Sequence, residues 1–327
     1  MIQPVLGIDI AKDTFDAALI VTGKTLNEHF DNNSGGFKQL SRWVSKQTVQ
    51  QVHACMEATG QYGNALAEYL YQQGEQVSVV NPARIKAYAN CKLRRNKTDK
   101  ADAGLIAEYC FREKPALWSP PPASFKDLQA LVRRLEDLQA NYYQENNRLK
   151  SGGTNQVVIE NLKTHLCYLQ EQIDQIKRAI QEHIEAYPEL KQRQELLVSI
   201  PGIGKLTASK ILGEVRDVRE FDGARQLAAY AGVTPRNFLS GTSVHKKSRM
   251  SKTGNSNLRK ILYMPAISAK HHNPIVQIFC QRLIESGLQP MEIIGAVMHK
   301  LLHLIYGILK SGIPFDPNFL QKQGVTS

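Results

Sequence analysis

The sequence predicts an α/β front part with a mixed sheet, then two long helices, then a basic and mostly α back part. Three observations lead there. Short apolar runs alternate with helical stretches over residues 1–115. Past the proline-rich stretch from Pro115 to Pro122, apolar residues recur every three or four positions. Within the back part, no Asp or Glu falls between Asp222 and Glu285.

Taken in order, residues 5–9 read as a first strand and 16–21 as a second. Gly23 and Lys24 make a good tight-turn pair, so 25–30 reads as a third strand in a hairpin. Asn33, Ser34, Gly35 and Gly36 break the chain before a helix over 37–45. Strand 52–57, helix 61–73 and strand 77–80 follow, and Asn81 and Pro82 stop the last of these. Thr98 caps a helix that runs to about Arg112.

Four acids stand out in this part. Asp9 and Glu57 each end an apolar strand, where a sheet-edge site opens. Asp99 and Asp102 lie three residues apart, close to one helical turn, and so share a helix face. Converging carboxylates repel unless cations sit between them. Hard divalent ions with oxygen ligands answer that need, and paired ions serve phosphodiester chemistry. Acids at strand ends and on a late helix match the ribonuclease-H-like architecture. Taken singly, Asp9 can be a turn former and Asp99 a first-turn residue favoured by the helix dipole. The combination points to a metal site. Lys92, Arg94, Arg95 and Lys97 precede the acidic pair. They suit either a guide for a phosphate backbone or an ordinary exposed loop.

The prolines mark a stiff boundary, so the chain divides into 1–115, 116–194 and 195–327. In the middle segment Phe125, Leu128, Leu131, Val132, Leu135 and Leu138 form one apolar stripe. Leu162, Leu166, Leu169, Ile173, Ile176, Ile180 and Ile184 form another. Two amphipathic helices in a hairpin or coiled coil result. An intramolecular hairpin and a dimer-forming arm both fit.

The back part carries two motifs. Pro201, Gly202, Ile203 and Gly204 make a tight turn ahead of Lys205, and the glycines permit unusual angles and close approach. This looks like the hairpin of a helix-hairpin-helix, with amides at a helix N-terminus open to phosphate; a plain helix–helix turn is the alternative. The second motif is Ser240 beside Gly241, amid Arg236, Lys246, Lys247, Arg249, Lys252 and Arg259. A serine hydroxyl needs activation before it attacks phosphorus, which metal ions on the four acids can supply. The cations can steady the charge on a transferring phosphate. Ser243, Ser248 and Ser251 compete for the same role.

The chain has 327 residues and a formal net charge of +11, which favours a polyanionic partner, most simply nucleic acid. The long one-sign stretch of the back part suits a phosphate backbone. Its five cysteines are scattered without metal-ligand spacing. A reduced, cytoplasmic setting with no zinc site and no disulfide framework is expected. No basic leader with an apolar signal segment is expected ahead of the first strand. The apolar stretch 293–309 contains His299, Lys300 and His303, and reads as a buried helix rather than a membrane span.

These motifs together resemble a known family. Gly7 to Lys12, Glu57 to Gly60, Asn81 with Pro82, and Asn96 to Asp102 carry the likeness in the front part. Ile200 to Gly204, Ala231 to Arg236, Ser240 with Gly241, and Arg249 to Asn255 carry it in the back. The chain resembles the bacterial insertion-sequence recombinases that join an N-terminal RuvC-like domain to a C-terminal serine-bearing transposase domain, the Piv-type DNA invertases among them. The resemblance implies that Asp9, Glu57, Asp99 and Asp102 are an Asp-Glu-Asp-Asp set binding a pair of magnesium ions. It implies that Ser240 forms a 5′-phosphoserine link to DNA. It also implies dimers and tetramers with a composite active site, acting on double-stranded target and donor DNA. A structured non-coding bridge RNA would guide the protein by base pairing. Piv-type invertases fit the RNA-guided part of that scheme less closely.

The reading that follows is a site-specific DNA recombinase of an insertion sequence. Its rivals are a RuvC-type junction nuclease, in which water replaces Ser240, and a non-catalytic nucleic-acid scaffold.

Overall fold

The computed structural model describes residues 3–48, 50–58, 60, 62–92, 99–152, 155–240 and 244–318, with the backbone alone for 99–100, 237–240 and 244–248. The chain forms two compact units, Met1–Pro120 and Pro121–Ser327.

In the first unit β1 (Val5–Ile10), β2 (Thr14–Val21) and β3 (Lys24–Asp31) form an antiparallel meander. β4 (His53–Glu57) and β5 (Gln76–Val80) add on parallel to β1, giving the order β3-β2-β1-β4-β5. A mixed sheet in this order is consistent with the ribonuclease-H-like expectation. Alternation sorts the strand residues between two faces. Leu6, Ile8, Ala54 and Met56 meet Phe37 and Leu40 of α1 (Ser34–Gln47) and Leu66 and Leu70 of α2 (Asn64–Gln72). Val5 and Cys55 meet Leu105, Ile106 and Tyr109 of α4 (Asp99–Glu113) on the other face.

Local chemistry explains where the elements begin. The β2–β3 turn is Thr22 and Gly23, with φ of 50° and 78°, one residue earlier than the expected Gly23 and Lys24 pair. Two positive φ values suit the tight hairpin turn whose twist matches the strands. Asn33 caps α1 by accepting from the amides of Gly35 and Gly36. Asn81 and Pro82 do stop β5, but they also start α3 (Pro82–Cys91), which the sequence reading left out. Asn81 accepts from the Ala83 amide at 2.8 Å and proline takes the first helical position, where its missing N–H costs nothing. The proline-rich stretch is fastened to the sheet. Trp118 N–H donates to Val77 O at 2.6 Å, and the Ser78 hydroxyl meets the Pro115 and Ala116 carbonyls at 3.1 and 2.9 Å.

The second unit is built on α5 (Ala123–Lys150) and α6 (Gln156–Ala186), which pair within the chain. They run antiparallel, since Ser124 O lies 2.7 Å from His183 Nε2 near one end while Glu145 faces His165 towards the other. Phe125, Leu128, Val132 and Leu135 share one core with α7 (Pro188–Val198), α8 (Lys205–Glu214), α9 (Ala224–Ala231), α10 (Ser256–His272), α11 (Pro274–Glu285) and α12 (Pro290–Ser311). α12 is long and apolar enough by composition to cross a membrane, but half of that apolar window is buried inside the protein. Val297, Leu301, Leu302 and Ile305 are at the centre of the core, as the sequence reading expected of a buried helix.

The back part is not wholly helical. β6 (Pro235–Ser240) and β7 (Val244–Met250) form an antiparallel hairpin between α9 and α10. An irregularity between Arg236 and Phe238 shifts its register. Its strands are mostly polar or basic, so no apolar alternation marks them in the sequence.

Candidate nucleic-acid-processing site

The front acids are positioned by the sheet. Asp9 follows Ile8, which pairs with Met56 on the neighbouring parallel strand, and Glu57 follows Met56. Alternation puts Asp9 on the face of Val5 and Gly7, and Glu57 on the face of Cys55. α4 covers that face. A Cβ on Gly7 would stand 2.2 Å from the Ala107 amide nitrogen, so only glycine lets α4 lie this close to β1. Asp102 is half-buried on α4, immediately before Ala103, which packs on the sheet. Asp99 is the first residue of α4, and its side chain lies outside the described set, as does Thr98. Among the described residues, no three His, Cys, Asp or Glu side chains already stand as a metal-ligand group. The four acids expected from the sequence offer only carboxylate oxygen, the chemistry that suits magnesium.

One neighbour was missed from sequence. Asp16 on β2 stands directly opposite Asp9, and His29 on β3 stands opposite Asp16. Only the strand register brings them together. Of the basic cluster, Lys92 bonds Glu108 at 2.6 Å and lies over the Tyr88 ring. Arg94, Arg95 and Lys97 lie outside the described residues.

Beneath Glu57 the same face holds two buried thiols. A hydrogen bond from Cys55 to Cys110 and burial push the Cys55 thiol far up. The same bond holds Cys110 down to about 6, helped by His53 and opposed by burial.

In the second unit the turn 199–204 links α7 to α8. Gly202 has φ of 106°, and a Cβ there would come within 2.8 Å of the Ala269 amide nitrogen on α10. Its glycine therefore serves close packing of the turn. Gly204 and Lys205 are exposed at the start of α8. Ser240 ends β6 opposite Val244, with its side chain outside the described set, and 241–243 follow. Arg236 pairs with Arg249 across the hairpin, and both are exposed. The side chains of Lys246, Lys247 and Ser248 lie outside the described set, as does Ser243. Ser251 accepts from the Thr253 amide at 3.2 Å, a local turn role. Lys252 is exposed with φ of 56°. Arg259 donates to the Ala231 carbonyl at 3.0 Å and so helps close the end of α9.

The hairpin's exit is anchored by a buried network. Glu214 ends α8 and is 4% exposed. It accepts from Asn255 at 2.7 Å and lies 3.7 Å from the Arg133 guanidinium on α5.

Comparison with known proteins follows the same two-part plan. Residues 6–152 match a DEDD-type model described as Transposase, and 194–281 match one described as Transposase IS116/IS110/IS902 family. A mixed-sheet unit of DEDD type joined to this second domain defines a transposase–recombinase. The chain belongs to the IS116/IS110/IS902 family of transposases. It is 36% identical over 319 residues to the pilin gene-inverting protein of Moraxella bovis, covering 97% of this chain and 98% of that one. The Moraxella lacunata protein of the same name is equally similar. The transposase for insertion sequence element IS1328 of Yersinia enterocolitica is 26% identical over 292 residues, covering 79% and 81%.

Proposed function

We propose that this protein is a site-specific recombinase of a bacterial insertion sequence that cuts and rejoins DNA through Ser240. The observation that carries the reading is the placement of Asp9 and Glu57. Asp9 is the next-to-last residue of β1 and Glu57 the last of β4, on adjacent parallel strands and on the face covered by the helix that begins at Asp99 and carries Asp102. Asp9, Glu57, Asp99 and Asp102 would hold magnesium. When bound, the ions polarise the scissile phosphate and favour ionisation of the serine hydroxyl.

Ser240 supplies the nucleophile from the end of β6. Its oxygen forms a bond to phosphorus as the bond to the 3′-oxygen breaks. The serine proton ends on that oxygen, giving a 5′-phosphoserine and a free 3′-hydroxyl. Attack by another 3′-hydroxyl reverses the step, so joining needs no nucleotide cofactor. Arg236, Lys247, Arg249 and Lys252 steady the phosphate charge. Gly204 and Lys205 at the start of α8, with Gly202 shaping the turn, grip a DNA backbone as a helix-hairpin-helix does. Lys92, Arg94, Arg95, Lys97, Lys246 and Arg259 complete the basic set that meets target DNA, donor DNA and a guiding bridge RNA. The α5–α6 arm lets acids of one subunit meet the serine of another in a dimer or tetramer. The protein works in the cytoplasm.

The test is denaturing electrophoresis of end-labelled nicked DNA after reaction with magnesium. The wild type is expected to give a protein-linked band, and Ser240→Ala none, with DNA binding kept. An undiminished adduct in Ser240→Ala removes the serine from its role. Free 5′-phosphate ends without adduct assign the protein to the junction nucleases. Normal cleavage by Asp102→Asn overturns the metal site.

A further inference from the structure

We propose that Asp16, held by His29, is a positioning residue of the metal centre that accepts from a water of the cation beside Asp9. The inference rests on the metal reading above and names a fifth carboxylate for that site.

The sheet register carries it. Asp9 pairs with Asp16 across β1 and β2, and Asp16 pairs with His29 across β2 and β3. Residues directly opposite in an antiparallel ladder point to one face, with Cβ atoms roughly 4.5–5.5 Å apart. The row therefore lies on the face covered by α4, where Ala18, the partner of Gly7, packs on Ala103 and Ala107. Asp16 is 9% exposed, and its Oδ2 lies 3.1 Å from His29 Nδ1. The His29 side chain is 53% exposed at the sheet edge.

Two carboxylates directly opposite one another destabilise a strand pair. The His29 ring hydrogen-bonds Asp16. In the metal reading, a hydrated cation held by Asp9 lessens the repulsion between the two carboxylates. Magnesium keeps several of its waters and binds through few carboxylates, so its waters need acceptors nearby. One oxygen of Asp16 already meets His29, which suits Asp16 as an acceptor for such a water rather than a direct ligand. His29 fixes the carboxylate's orientation, as the outer partners of metal ligands commonly do.

The test titrates the full-length protein with Mn²⁺, a hard-ligand substitute for magnesium, and follows free Mn²⁺ by electron paramagnetic resonance without DNA. The variants are Asp9→Asn, Asp16→Asn, His29→Ala and His29→Gln, each checked for folding by circular dichroism. Asp16→Asn is expected to weaken Mn²⁺ binding by about 10–100-fold. His29→Ala is expected to weaken it less, and His29→Gln to restore it, because the amide can still donate to Asp16. If Asp16→Asn binds Mn²⁺ as the wild type does while Asp9→Asn does not, Asp16 is only a strand-pairing residue and this inference falls alone. If Asp9→Asn also binds normally, or the wild type does not bind, the metal reading itself fails. Should Asp16→Asn not fold, wild-type affinity in His29→Ala overturns the inference.

Discussion

Asn255 ties two elements together with one side chain: its nitrogen donates to Glu214 at 2.7 Å, and its oxygen accepts from the amides of Asn257 and Leu258. The same nitrogen reaches the Tyr230 hydroxyl at 3.1 Å. The chain leaving β7 is thus fixed to α8, α9 and the start of α10 at one point.

Replacing Asn255 by alanine should therefore cost more than an ordinary cap. Loss of the cap costs about 1 kcal/mol. Leaving a buried carboxylate oxygen short of its donor costs about 1–3 kcal/mol more. Urea unfolding should show a clearly lower midpoint, and Glu214→Gln should be milder because it removes the buried charge. A wild-type midpoint in Asn255→Ala would mean that the network contributes nothing.

Gly7→Ala should loosen the front unit. Its methyl would stand 2.2 Å from the Ala107 amide nitrogen, and backbone cannot turn aside as a side chain does. Overpacking of this kind costs about 1–3 kcal/mol or more. Relief comes by lifting α4, which moves Asp102 away from Asp9. The melting temperature and DNA cleavage should fall together, even though no acid has been changed.

The two glycines of the α7–α8 turn should separate. Gly202→Ala meets α10 and has φ of 106°, so it should lower stability in a thermal melt. Gly204→Ala meets nothing within 4 Å and should leave stability close to wild type. Lys205→Ala should weaken DNA binding across sequences and reduce the salt slope by about 1. A thermal melt of Gly202→Ala matching wild type would contradict the packing argument.

Glu75 predicts a pH effect. Burial pushes its carboxyl above the ordinary value of 4.5, while the Val52 amide, donating at 2.7 Å, pulls it down less strongly. The folded protein therefore holds this proton more tightly than the unfolded chain. That stabilisation is fully present below the unfolded value and is lost as pH rises through the folded one. Glu75→Gln keeps an acceptor for Val52 and removes the charge. Urea midpoints of the two proteins should be similar at low pH and diverge in favour of the variant as pH rises past 4.5. Parallel midpoints across the range would refute it.

The sheet was legible because its strands are apolar runs closed by acids or turn residues, as with Glu57 at the end of β4 and Asp9 one residue before the end of β1. The two long helices were legible from their stripes. α3 was not, because Asn81 and Pro82 stop a strand and start a helix with the same chemistry. The β6–β7 hairpin was hidden because basic and polar residues fill its strands, so the segment around Ser240 read as part of a mostly helical region. Asp16 and His29 belong to different strands, and only the pairing register shows that they meet.

The Trp118 amide bond to Val77 also closes one border of the five-stranded sheet. An uncovered β5 would offer free backbone groups to another chain, the usual route to aggregation. The opposite border, β3, is guarded instead by Lys24, Glu28, His29 and Asp31. An isolated front fragment cut at residue 114 would lose the first safeguard and should precipitate, whereas one extended through Pro120 should remain in solution.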